Sequence, residues 1–110
     1  MGALLPNNRS WDVANWIARG FFEDARPLTS SSNALGEDIQ FCIDAELDTL
    51  DLREYAPELL SEFGSVVDKV IALNLERNGS TFADPTAFPV YLERLRELQA
   101  LVRDVVPPQT

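Results

Sequence analysis

Apolar residues recur at intervals of three and four along most of this chain, and the elements they predict are helices. Val13, Trp16, Ile17 and Phe21 form the first such stripe, which predicts a helix opening at Ser10 as a hydroxyl N-cap and stopping at Pro27. In it Trp16 and Phe21 are expected in the core, whereas Trp11 lies off the stripe and is expected to be partly exposed. The run from Leu28 to Gly36 is turn chemistry, with Ser, Thr and Asn competing for backbone hydrogen bonds, and predicts a connecting loop over 28–36.

Residues 39–47 fit two periods. Apolar residues at 39, 41, 43, 45 and 47 alternate as in a short strand, yet Leu35, Ile39, Ile43, Leu47 and Leu50 also share one helical stripe. The helical pattern is favoured, because Ala, Glu, Gln and Leu are good helix formers and no second strand offers itself as a partner. Asp51 with Glu54 resembles a capping box, and Pro57 suits a first helical turn. A long helix is expected from there to Asn78-Gly79, a left-handed cap, with Ala56, Leu59, Phe63, Val66, Val70 and Leu73 as its seam. Leu60, Val67 and Ile71 widen that seam.

After a connection over 79–88, the last helix is expected to become regular near Phe88-Pro89 and to end before Pro107-Pro108. Phe88, Tyr91, Leu95, Leu98, Val102 and Val105 repeat the same spacing, so the last two helices should pack as an antiparallel hairpin. The expected fold is all-α, about a four-helix bundle, with a short strand at 39–47 as the open alternative. At 110 residues the chain fits one helical domain, 1–110, with a single core. Two to three heptads interrupted by aromatics favour a monomer or weak dimer over a coiled coil.

Charge changes this picture. Residues 37–62 hold nine carboxylates against one base, Arg53, a local net charge of −8 in a chain whose total is −9. Elsewhere acids and bases nearly balance, and Glu93, Arg94, Arg96, Glu97, Arg103 and Asp104 make a mixed, solvated face whose pairs contribute about 0.3–0.5 kcal/mol each. On the long helix Glu54, Glu58 and Glu62 stack at intervals of four, an arrangement that slightly opposes helix formation. A surface kept acidic only for solubility is one interpretation, but mixed charge would serve equally well. A face that docks on a cationic protein explains the localisation better, with carboxylates standing where a nucleic acid's phosphates would. The candidate partner-binding residues are Asp44, Glu46, Asp48, Asp51, Glu54, Tyr55, Glu58 and Glu62, with Tyr55 as the aromatic anchor.

The chemistry of the remaining residues is sparse. The chain contains no histidine, which removes the commonest general base and transition-metal ligand, and its single cysteine, Cys42, sits among apolar neighbours as a buried thiol. Asp44, Glu46, Asp48 and Asp51 imitate the start of a calcium loop, but Thr49 stands at the turn glycine and Tyr55 where the bidentate acid belongs. No catalytic residue, metal site or cofactor is assigned, and the chain is not read as an enzyme. No apolar run approaches a membrane span and Met1-Gly2-Ala3-Leu4-Leu5-Pro6 lacks the features of a signal peptide or lipid anchor, so a cytoplasmic protein without membrane contact is expected.

In size, helical pattern and concentrated acidity over 37–62, the chain resembles the immunity proteins with which bacteria neutralise nuclease toxins of colicin and contact-dependent-inhibition systems. It lacks the Tyr-Tyr-Pro turn that the colicin DNase immunity family carries beside its acidic helix, and no family residue is transferred to it. The resemblance implies a bacterial inhibitor that forms a tight complex with a basic nuclease toxin domain and covers its substrate site. It would bind no nucleic acid directly. A small helical interaction or structural subunit with a solvated acidic face is the alternative, and a carboxylate site for a divalent metal a more distant one.

Overall fold

The computed structural model describes residues 2–29 and 33–106; residue 1, the serines at 30–32 and residues 107–110 lie outside the described part. Four α-helices dominate, α1 (Asn15–Ala25), α2 (Ala34–Asp44), α3 (Pro57–Arg77) and α4 (Ala87–Arg103), joined by a 3-10 turn at Arg26–Leu28 after α1. The chain is therefore mainly helical, but all-α is too narrow a description. Three two-residue strands, β1 (Ala3–Leu4), β2 (Ser10–Trp11) and β3 (Leu50–Asp51), form a small sheet in the order β2-β1-β3.

That sheet corrects the expected start of the first helix. Ser10 is a strand residue paired antiparallel to Leu4, and α1 begins five residues later, after Ala14. Pro6-Asn7-Asn8 makes the turn between β1 and β2: Asn8 adopts φ 65°, and the Asn7 Oδ1 accepts from the Arg9 N–H at 3.2 Å. Strands of two residues are too short to show a period, so only this turn chemistry marked them. β3 runs parallel to β1, with the Leu50 N–H donating to the Gly2 carbonyl at 3.1 Å and the Leu52 N–H to that of Leu4 at 2.8 Å. Gly2 is required there, since a Cβ would lie 2.5 Å from Trp11 Cε3.

Trp11 is itself a correction. Its side chain is 1% exposed, edge-on to Phe21 at 5.7 Å, and its indole Nε1 donates to the Arg94 carbonyl at 2.8 Å. Trp16, expected in the core, is 46% exposed. The buried face of α1 is Ile17, Ala18, Phe21, Phe22 and Ala25, which leaves Trp16 at its edge.

The remaining elements follow their sequence signals more closely. Residues 39–44 are helical, and the helix starts within the expected 28–36 loop because the Asn33 Oδ1 caps it by accepting from the Gly36 N–H at 2.8 Å. Pro57 opens α3 at its first turn, and Asn78, at φ 50°, ends it in a left-handed cap. Asp51 does not cap α3; Ala56 stands at that position, and the Asp51 Oδ1 accepts the Arg53 N–H instead. α3 and α4 form the expected antiparallel hairpin: a Cβ on Gly64 would meet Val102 near the end of α4, while Gly79 lies against Phe88 at its start. Phe21, Phe63, Leu95, Leu98, Val67 and Val70 are among the residues that fill the core, each fully buried apolar side chain contributing roughly 1.5–3 kcal/mol. Among the described residues no helix is long and apolar enough to cross a membrane.

Candidate interaction face on α2 and the following turn

The outward arc of α2 carries Glu37, Asp38, Phe41 and Asp44, opposite the buried Leu35, Ile39 and Cys42. At 100° per residue Phe41 falls in the middle of that arc, between Asp38 and Asp44. It is 64% exposed, and Leu47, just beyond the helix, is 42% exposed. Large apolar groups are not expected at the centre of the most highly charged surface of a protein unless something covers them.

The end of α2 places Leu47 there. The Leu47 N–H donates to the Cys42 carbonyl at 2.9 Å and the Glu46 N–H to that of Ile43 at 3.2 Å, the paired bonds of a Schellman motif. Glu46 occupies its left-handed position at φ 55°, where glycine is usual. Without that glycine no stop signal marks the end of α2 in the sequence, and Leu47 continues the Leu35, Ile39, Ile43 stripe. The helix instead ends at Asp44, and the reversal turns Leu47 out toward solvent.

Two shallow grooves meet at Leu47 and Cys42. One, of about 250 Å³, is bounded by Asp38, Phe41, Thr49, Leu50 and Asp51; the other, of about 180 Å³, by Arg19, Phe22, Glu23, Ile43 and Glu46. Cys42 forms their common floor, and burial first, then the Asp38 charge, pushes its thiol up to about 11. At neutral pH it is a neutral packing group rather than a nucleophile.

The acids differ in how they are held. Asp51 takes a bidentate pair from Arg53, with Nε to Oδ1 at 2.9 Å and an Nη to Oδ2 at 2.8 Å. These bonds hold its carboxyl well down, at about 2. The Thr49 hydroxyl donates to Asp48 at 3.0 Å, and that bond leads the lowering of its carboxyl pKa. Asp44 accepts from Gln40 at 2.8 Å, and Gln40 in turn receives the Arg26 Nε at 2.7 Å, so Asp44 is tied toward the 3-10 turn. Glu62 accepts from the side-chain amide of Asn33, linking α3 to the cap of α2. Glu54, in the turn before α3, and Glu58, in its first turn, are both exposed.

Tyr55 is half-buried against the core, and its hydroxyl donates to Asp38 Oδ2 at 2.5 Å. Burial first, then Asp38, raises its pKa, so it stays a neutral donor. Its hydroxyl is committed within the protein, and Phe41 presents far more free aromatic surface. Asp38 and Phe41 are thus the functional candidates that the site assignment from sequence left out. The alternation that suggested a strand did mark Phe41 as apolar, but only the end of α2 shows that it points outward.

The acidic residues therefore split into two connected groups. Asp38 and Asp51 border the first groove, with Tyr55 bonded to Asp38 behind it; Glu58 and Glu62 continue along α3, whereas Glu54 lies in the turn before that helix and does not join their stack; Glu46 borders the second, where the Arg19 guanidinium donates to its carbonyl at 3.4 Å. Among the described residues no group of three or more His, Cys, Asp or Glu side chains is arranged to hold a metal ion. The chain matches no family model, no curated protein and no solved structure.

Proposed function

We propose that this chain is an acidic protein-binding inhibitor of the immunity type, which docks its α2 face on a basic nuclease-type toxin and occludes the toxin's substrate site. The observation that carries the reading is the exposed pair Phe41 and Leu47 set among Asp38, Asp44, Glu46 and Asp51. An apolar centre supplies the desolvated anchor that tight complexes use, and the surrounding carboxylates supply attraction, register and a fast on-rate. Solubility alone accounts for the acids but not for Phe41. Occlusion needs no chemistry from the inhibitor, consistent with a site whose cysteine and tyrosine are both held neutral.

The test is the product of the neighbouring reading frame. Purified and mixed one to one with this chain, a basic nuclease domain encoded there should lose its activity, and Phe41→Ala should relieve the inhibition. A nuclease that keeps full activity in excess of this chain, or the absence of any basic domain beside it, overturns the reading.

A further inference from the structure

A separate cavity of about 290 Å³ opens between α1, the end of α3 and the start of α4, at the small end of the range for ligand pockets. Its inner side is a closed polar network. Asp24 accepts from the Tyr91 hydroxyl at 2.9 Å, from the Asn74 amide at 3.0 Å and from Arg77 at 3.2 Å. Asn74 is 1% exposed and its amide also donates to the Val70 carbonyl at 2.9 Å, so the carboxylate that Arg77 meets is held by α1, α3 and α4 together.

Arg77 is thereby fixed without being used up. Only its Nη1 bonds to Asp24 and its side chain is 37% exposed, so donors of a planar guanidinium remain open at the cavity. The Thr81 hydroxyl lines the same cavity and has no partner among the described residues. Glu23 lines it too and makes no hydrogen bond or ion pair among the described residues, although Arg19 stands four residues before it and Arg77 shares the cavity. At 100° per residue along α1, Asp24 turns in to the network while Glu23 stays exposed. Trp16, 46% exposed, and Phe82 add apolar surface; Tyr91, 2% exposed, is spent on packing and on Asp24. The cavity therefore holds uncommitted donors and an uncommitted carboxylate beside apolar rings. A lone cation would meet Arg77 and a lone anion would meet Glu23, whereas a ligand carrying both charges satisfies each with its opposite.

We propose that this cavity binds a small zwitterion, an α-amino acid with an apolar side chain. Arg77 and Thr81 donate to its carboxylate, Glu23 accepts from its ammonium, and Trp16 and Phe82 cover its side chain. The network under Arg77 holds the guanidinium in place before the ligand arrives, which lowers the ordering cost of binding. This site stands independently of the α2 face, although Glu23 also borders the groove beside Leu47.

Proton NMR titration of the full chain with L-leucine, N-acetyl-L-leucine and L-leucinamide is the direct test, since each analogue lacks one of the two charges. Leucine should move the Trp16 indole signal while that of Trp11 stays, with a Kd of about 1 mM or tighter, and each analogue should bind about tenfold more weakly. Glu23→Gln should weaken leucine by about tenfold and leave N-acetyl-leucine unchanged, because only leucine brings the ammonium. Arg77→Lys should weaken leucine more than leucinamide. Where Arg77→Lys disturbs the network and lowers thermal stability, the comparison in Glu23→Gln, a change to an exposed side chain, decides alone. Equal binding of leucine and either analogue, no movement of the Trp16 signal with leucine in the tens of millimolar, or full affinity for leucine in folded Glu23→Gln overturns the proposal.

Discussion

The indole Nε1 of Trp11 donates to the backbone carbonyl of Arg94 at 2.8 Å, joining β2 to the middle of α4 across 83 residues of sequence. With Phe21 edge-on to its ring and Gly2 beneath it, Trp11 locks the small sheet onto the helical core. Trp11→Phe keeps most of the packing and removes the bond, and should cost about 1 kcal/mol. Trp11→Ala should cost about 3–5 kcal/mol, because it also empties a core site. Urea unfolding measures both; a loss for Trp11→Ala below that for Trp11→Phe would contradict the packing role.

Glu46 holds a left-handed conformation at φ 55° in the reversal that ends α2. An L side chain there is strained, so Glu46→Gly should stabilise the fold by about 0.5–1 kcal/mol by denaturant unfolding while removing one acid from the face. Glu46→Val, β-branched at the same position, should destabilise it. A neutral or negative effect of Glu46→Gly would mean that the turn is not limited by this strain.

The Asp51 carboxyl is lowered by its bonds from Arg53, so its ionised form is favoured in the folded state. The stabilising contribution is complete above the ordinary carboxylate pKa of about 4 and fades as pH falls toward about 2. Carbon-detected NMR titration of Asp51 should give a midpoint near the bottom of that window, and Arg53→Ala should raise it toward about 4 without fully reaching it, because the backbone N–H of residue 53 still donates to Asp51. A midpoint unaffected by Arg53→Ala would show that the pair does not persist in solution.

Cys42 behaves in the opposite sense. Burial raises its thiol to about 11, so the neutral form stabilises the fold below an ordinary thiol pKa of about 8.5, and this contribution is lost as pH rises through the raised value. At pH 7.5 its alkylation by iodoacetamide should be far slower than that of a free thiol, and urea should restore the rate. Rapid labelling of the native protein would place Cys42 in an open groove rather than under one.

For the α2 face, charge reversal of Asp48, Asp51 and Glu58 should weaken the proposed partner complex by orders of magnitude and flatten its salt dependence, with the fold intact by circular dichroism. Phe41→Ala should raise the dissociation rate with little change in salt dependence, a loss of about 2 kcal/mol or more if it is the anchor. Tyr55→Phe, which removes only the bond to Asp38, should have a smaller effect. If Tyr55→Phe weakens binding more than Phe41→Ala, the anchor assignment is reversed.

Hydrophobic period by itself determined the long helices of this protein. Phe63, Val66 and Val70 on α3 and Tyr91, Leu95 and Leu98 on α4 repeat over several turns, and only one face of each helix can bury such a stripe. Pro57 and Asn78 marked the ends of α3 because their backbone preferences are local. The excess of carboxylates over 37–62 was equally plain, since charge needs no fold to be counted.

Tertiary structure decided what no local window contains. The strands are two residues long and exist because residues 3–4 find Trp11 and Leu50 as partners, a pairing set by distant segments. Trp11 and Trp16 exchange their expected environments because Trp11 is a strand residue bonded to Arg94 across the core, while α1 buries Ile17, Ala18, Phe21, Phe22 and Ala25 and leaves Trp16 at its edge. A reversal without glycine at Glu46 turns Leu47 outward beside Phe41, and so places an apolar centre on the acidic face. Sequence supplied the charges; the packing of α2 against α1 and β3 chose which apolar residues stand among them, because burial of one helical face exposes the other.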